Sequence, residues 1–293
     1  MIDRYHLRYF LSVVDMGNFS RAAAACNVSQ PTLSVGIAKL EKSLGRSLFN
    51  RTNRRVALTE AGASLVSFAR AIEGGFAAAE RAVAGTNAVQ PIRLGVLSTT
   101  PRQWIESFLE QHSAQAAGVP VELVEGKERD LRERLARGRI DLALMMLREG
   151  DDLYPSERIL TEGYSLALSA SHPFAQRKVI RAEELVNDPM IVRRHCELLP
   201  ETSRFFTTRG VRPVFPSRTT SDDKALSYVR AGLGVTIMPD CFQEPGVNRV
   251  PLEGFDYTRD IGLVFAPHVD VAELRSRPTI AILVAAIQAG DGH

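Results

Sequence analysis

The stretch 59–88 limits this chain more than any other feature. Ala63, Val66, Ala69, Ile72, Phe76, Ala79 and Val83 recur there at helical spacing, alanine is abundant and no proline interrupts. A long helix with so narrow an apolar stripe is not stable alone in water. It needs a partner, either from the rest of the chain or from a second copy. Gly85 and Pro91 end the pattern. The expected organisation is therefore a small head at 1–58, a connecting helix at 59–90 and a larger body at 91–293. A chain of 293 residues is too long for one ordinary core, which agrees with this division.

Charge separates head from body. Residues 1–60 carry nine Lys/Arg against four Asp/Glu, a net +5, whereas the whole chain is only +2. A basic head on a mildly acidic body fits a polyanionic partner for the head alone. Apolar residues make up 45% and charged residues 24%, the composition of a water-soluble chain. The longest apolar run, Ile280 to Ile287, is far shorter than the ~20 residues that span a bilayer. Asp3, Arg4, Arg8 and Asp15 interrupt any signal-peptide core, so a cytoplasmic protein without membrane contact is expected. Cys26, Cys196 and Cys241 are odd in number and far apart, which implies no disulfide framework. The histidines show no metal-ligand spacing, and no metal or cofactor is expected.

In the head, Leu7, Phe10, Leu11 and Val14 predict a first helix that Gly17 ends. Ser20 is placed to cap a second helix through Ala22–Ala25, and Asn27-Val28 makes a turn. Ser29 caps a third helix, with Pro31 tolerated in the first turn and Gly45 at the stop. Leu33, Ile37, Leu40 and Leu44 face inward, while Gln30, Thr32 and Ser34 face out. Two helices joined by a tight turn make a helix-turn-helix, whose second helix can enter the major groove. Leu48-Phe49 and Val56-Ala57-Leu58 predict two short strands around a basic loop, Arg51 to Arg55, placed like a wing over phosphates or the minor groove. The candidate DNA-binding residues are Ser29, Gln30, Pro31, Thr32, Ser34, Arg51 and Arg54.

These residues resemble the LysR-type transcriptional regulators. The resemblance is carried by Phe19-Ser20-Arg21-Ala22-Ala23, Val28-Ser29-Gln30-Pro31-Thr32-Leu33-Ser34, Leu40-Glu41, Leu44-Gly45, Leu48-Phe49 and Leu58-Thr59-Glu60-Ala61-Gly62. It departs at Cys26, where the family usually has leucine, and at Val35-Gly36, where polar or basic residues are frequent. The resemblance implies a connecting helix paired with that of another subunit, dimers that often join into tetramers, and an inverted DNA repeat as target. It also implies a small-molecule effector.

The body alternates strand and helix. Strands are expected at 92–97, 120–124, 140–146, 166–170, 190–192, 234–238 and 261–265, and helices at 102–112, 129–137, 201–209, 221–231 and 271–286. Near-continuous apolar strands between helices predict an α/β body of two lobes, like a periplasmic binding protein, with parallel sheet covered on both faces. Ligands of such sheets bind beyond the strand ends. Ser98-Thr99-Thr100 follows the first strand and opens a helix, so its hydroxyls can cradle an anion or simply cap the helix. Arg194 and His195 follow another strand and are expected to approach from the second lobe, giving an effector site of Ser98, Thr99, Thr100, Arg194 and His195 for a small, anionic molecule.

His195-Cys196 also resembles the position of the reactive cysteine in peroxide-sensing members of the family. Phe205 stands nine residues on, where a second cysteine is expected, and Cys241 is the other candidate in the body. Thiol sensing at Cys196 is thus an alternative to effector binding. A solute-binding protein or an enzyme on the same body is the rival class, because fold alone does not separate them. The sequence shows no nucleophile elbow, Gly-rich phosphate loop or metal pair, so no catalytic residue is expected.

Overall fold

The computed structural model describes residues 1–52, 55–84, 91–148, 150 and 154–290. The head opens with α1 (Arg4–Met16), α2 (Phe19–Ala25) and α3 (Gln30–Leu44). Local chemistry sets their ends. Gly17 and Gly45 both take the left-handed conformation that closes a helix, and Ser29 Oγ accepts from the Thr32 N–H. The cap of α2 is Asn18 rather than the expected Ser20. Asn18 Oδ1 accepts from the N–H groups of both Ser20 and Arg21, so Ser20 lies inside the helix. Gly36 has a packing reason: a Cβ there would come within 2.6 Å of the Tyr9 ring, because α3 crosses α1 closely at that point.

Two antiparallel strands follow, β1 (Phe49–Thr52) and β2 (Arg55–Leu58). They are longer than the sequence predicted and take in Arg51, while Arg54 lies outside the described residues. Glu41 of α3 accepts from the N–H groups of Leu48 and Phe49, which ties the wing to the recognition helix. The connecting helix, α4, runs over Glu60–Ala84. Its first turns are part of the head: Val66 and Ala69 are buried with Leu7, Phe10, Val13, Leu33, Ile37 and Leu40 in a single core. Further along, Phe68, Ile72, Phe76 and Val83 remain exposed.

The body consists of β3 (Ile92–Leu97), α5 (Arg102–Gln115), β4 (Val121–Gly126), α6 (Glu128–Ala136), β5 (Leu142–Leu147), β6 (Ser156–Ser169), β7 (Ile191–Arg193), α7 (Leu199–Thr208), β8 (Ser217–Thr219), α8 (Asp222–Arg230), β9 (Thr236–Pro239), β10 (Val247–Val250), β11 (Thr258–Phe265), α9 (Val271–Ser276) and α10 (Pro278–Ala289). The main sheet has the order β10-β6-β11-β5-β3-β4, with β9 also on β6.

That sheet is mixed, not parallel as expected. Only the β3–β4 and β3–β5 pairings are parallel, and β6 and β11 run antiparallel to their neighbours. β6 and β11 pass from one lobe into the other. The first half of β6 pairs with β11, and its second half with β9 and β10. The body has two hydrophobic cores, one around Trp104, Phe108, Leu131, Phe265 and Leu283, the other around Tyr164, Ile180, Phe205, Phe206 and Phe255. The single helix expected at 271–286 is two. Arg277, placed before Pro278, is extended (φ −71°, ψ 135°), as the proline ring requires.

Candidate DNA-binding face and effector cavity

The start of α3 carries the candidate DNA-binding residues of the helix-turn-helix. Gln30, Pro31 and Thr32 are exposed at the start of α3, and Ser34 is half-buried one turn on. Gln30 Nε2 donates to Ser34 Oγ at 2.9 Å, and the Ser29 and Thr32 hydroxyls lie 2.7 Å apart. These bonds hold the side chains in one ridge, and each is weak enough to be exchanged for a base edge or a phosphate. Val35 is also exposed on this helix, beside Pro31 and Thr32. Val35 stands where the family resemblance leads one to expect a polar or basic residue, and its apolar side chain suits a thymine methyl group rather than a hydrogen-bonded base edge.

In the body, Ser98, Thr100 and His195 line one cavity of about 570 Å³. It lies between the start of α5 in the first lobe and the start of α8 in the second, the two ends being contributed by Ser98 to Arg102 and by Thr220 to Asp223. Thr99 is buried and does not line it. Arg194 is exposed and does not line it either. Side chains alternate along β7: Ile191 and Arg193 point into the protein, and Arg194 falls on the other parity. The inward arginine is Arg193, bound through two nitrogens to Asp222 at 2.6 and 2.8 Å.

The walls of this cavity carry both signs of charge. Arg102 is paired with Glu106 at 2.9 Å, and Glu125 and Asp223 stand opposite. The two helix starts differ. α8 begins with Asp222 and Asp223, which answer its own positive end, whereas α5 has no acidic residue in its first turn and no side-chain cap. His195 Nδ1 is buried without a hydrogen-bond partner among the described residues.

Behind His195 lies a buried ionic network that the sequence did not reveal. Arg259 of β11 binds Glu162 of β6 at 2.8 Å and Glu197 at 2.5 Å, and Tyr164 donates to Glu197 at 2.8 Å. The Cys241 N–H donates to Glu162, and Arg259 donates to Cys241 Sγ at 3.4 Å. Burial alone would raise the Glu197 carboxyl, but Arg259 and the other donors hold it below the usual range. The strands that join the lobes are thus bonded to the turn that bears His195 and Cys196.

A model of the bacterial regulatory helix-turn-helix protein, lysR family, matches residues 5–63, and one of the LysR substrate binding domain matches residues 87–272. The chain belongs to the LysR family. A hydrogen peroxide-inducible genes activator of Haemophilus influenzae is 30% identical over 270 residues, covering 89% of each chain. The DNA-binding transcriptional dual regulator OxyR of Escherichia coli is 29% identical, covering 98% of this chain and 95% of that protein. A hydrogen-peroxide-bound OxyR mutant of Corynebacterium glutamicum shares the fold, with a TM-score of 0.56 and 25% identity over 99% of this chain and 96% of that one.

This LysR-type regulator joins a DNA-binding head to an effector-binding body. Its cysteines occupy dissimilar sites. Cys196 is half-buried, and burial pushes its thiol up while Arg193 pulls it down, with burial prevailing. Burial beside Glu162 pushes the Cys241 thiol further up. Phe205 is packed edge-on against Phe206 and Phe255 in the second core.

Proposed function

We propose that this regulator reads DNA with the first two turns of α3 and answers a small molecule held between the lobes of its body. Gln30, Thr32 and Ser34 meet base edges in the major groove. Ser29 and Pro31 fix the helix start against the backbone, and Arg51 and Arg54 contact phosphates or the minor groove. Two heads act together on an inverted repeat, joined through α4, whose Phe68, Ile72 and Phe76 recur every four residues and are 67%, 40% and 43% exposed. A protein with this task works beside the chromosome, in the cytoplasm, and performs no catalysis.

The observation that carries the effector half is the convergence of Ser98, Thr100 and His195 on one cavity. The unanswered positive end of α5 favours an anionic group there. Glu125 and Asp223 on the facing walls favour hydrogen-bond donors on the same ligand. The ligand class is a small polar molecule with one anionic group and at least one hydroxyl or amino group. Thr99 and Arg194 fall outside this site. Thr100→Val keeps the shape and removes the hydroxyl. It should abolish the effector response of promoter binding while leaving effector-free DNA affinity unchanged. A normal response in that variant would place the effector elsewhere.

Thiol sensing at Cys196 is the second reading, favoured by the likeness to the hydrogen peroxide-inducible genes activator of Haemophilus influenzae; Arg193 draws the Cys196 thiol down, but burial outweighs it. The buried positions of Phe205 and Cys241 leave it without an evident resolving partner. A response that needs an oxidant and Cys196, and no added metabolite, would establish this reading in place of the first.

A further inference from the structure

A second cavity, of about 530 Å³, opens within the second lobe between α7 and the β7–β8 pair. Its walls are largely apolar, with Leu199, Phe206, Val211 and Ile237 prominent. It shares no lining residue with the cavity between the lobes, and the two are divided by a single turn: His195 lines the first and Cys196 the second. Its volume falls in the range of small-molecule sites, roughly 300–1,000 Å³.

Two observations point to what it takes. On the inner wall, Thr202 Oγ1 is buried with no hydrogen-bond partner among the described residues. A buried hydroxyl is disfavoured unless something meets it. At the rim stand Arg212 and Arg218, both exposed and without an ion pair among the described residues, and Arg218 lies 5.5 Å over the ring of Phe215. An apolar space with a hydroxyl inside and two unanswered guanidinium groups at its mouth matches an amphipathic anion.

We propose that this cavity binds an aromatic monocarboxylate with a hydroxyl group at the end remote from the carboxylate. The ring lies among Phe206, Val211 and Ile237, the carboxylate meets Arg212 and Arg218, and the ligand hydroxyl pairs with Thr202. The site is distinct from the effector cavity and depends on none of its residues. Its occupant would bear on the Cys196 turn, whose neighbour Glu197 is bonded to Arg259.

Titration calorimetry of the full-length protein with p-coumarate tests this. The expected result is saturable binding, one molecule per chain, weakened at least tenfold for the corresponding amide and at least tenfold by Arg212→Gln with Arg218→Gln. Thr202→Val should weaken p-coumarate severalfold and leave cinnamate, which lacks the hydroxyl, unchanged. Thr100→Val should alter neither. These substitutions lie at exposed or half-buried positions, and matching melting curves would confirm that the variants fold. Absence of saturable binding would overturn the proposal, as would equal binding of the amide. Loss of binding in Thr100→Val but not in the arginine variant would place the ligand between the lobes instead. A change of mass in the arginine variant, with p-coumarate binding unaltered, would assign the rim to a second copy of the chain.

Discussion

Gly74 of the connecting helix lies directly against His268 of the body: a Cβ at position 74 would fall 2.9 Å from both Cβ and Nδ1 of that histidine. Beside it, Arg70 of α4 donates to the Tyr154 hydroxyl at 2.7 Å and pairs with Asp15 of the head at 3.1 Å. Head, helix and body thus meet along one edge of α4. Gly74→Ala would gain up to ~1 kcal/mol of helix propensity in an isolated helix. Here the added methyl should displace His268 instead, lowering stability by about 1–2 kcal/mol. His268→Ala in the same chain should restore most of that loss in a double-mutant cycle of thermal unfolding. Additive effects of the two substitutions would show that α4 and the body do not press on each other at this point.

On the DNA-binding face, Gln30→Ala should weaken specific binding by ~1–3 kcal/mol and relax the preference at one base position. Among the described residues its side chain is tied only to Ser34, so the fold should not change. Competition binding against single-base variants of the operator measures both effects. Intact affinity and specificity would show that the ridge Gln30–Ser34 is not the reading edge.

Assembly is expected to depend on the exposed stripe of α4. Ile72→Glu with Phe76→Glu should release monomers in light scattering and lose tight operator binding, because two half-sites can then no longer be held together. The Phe76 ring also carries the Arg4 guanidinium at 4.3 Å, so Phe76→Glu alone should be the milder change. A double variant of unchanged mass would move the interface off this helix.

Acid stability should depend on Glu197. Its carboxyl is held below the usual range, whereas the unfolded chain titrates near about 4.3. The stability it contributes is present above that pH and lost as the pH falls through the folded value. Asp141 behaves alike: burial would raise it, but His268 and Arg93 bring it below its ordinary value. The melting temperature should therefore fall as the pH drops below about 4, and Glu197→Gln should flatten that descent. Asp15 has the opposite sign, since burial raises its carboxyl despite Arg70, and its contribution fades as the pH rises through the folded value. Parallel pH profiles for Glu197→Gln and the wild type would remove Glu197 from this account.

Where local chemistry decides structure, the sequence was legible. Gly17, Ser29 and Gly45 end or cap their helices as expected, because a left-handed glycine or a capping hydroxyl acts within its own turn. The wing and the strand Ile92–Leu97 were legible for the same reason. The first half of β6 was not: Glu157, Arg158, Thr161 and Glu162 break any apolar run, and the strand exists because β11 pairs with it across nearly a hundred residues of chain. Ser98, Thr100 and His195 stand out in the sequence because hydroxyls and a histidine beyond strand ends are informative by type, whereas their meeting on one cavity is a fact of the fold. Which of Arg193 and Arg194 faces inward is decided by one residue of strand parity, which the apolar pattern of so short a strand does not fix. The network of Arg259, Glu162 and Glu197 joins three distant segments, and no spacing along the chain announces it.

Val66 and Ala69 give α4 a mechanical meaning. The helix that carries the head is also one wall of the head's core, so there is no hinge between them. Each residue of an α-helix advances it by about 1.5 Å and turns it by about 100°. One residue inserted after Ala69 would therefore swing the reading ridge through more than a quarter of a turn relative to the body, with every contact inside the head preserved. The phase at which this regulator meets the DNA helix is written in the residue count between Ala69 and Gly74.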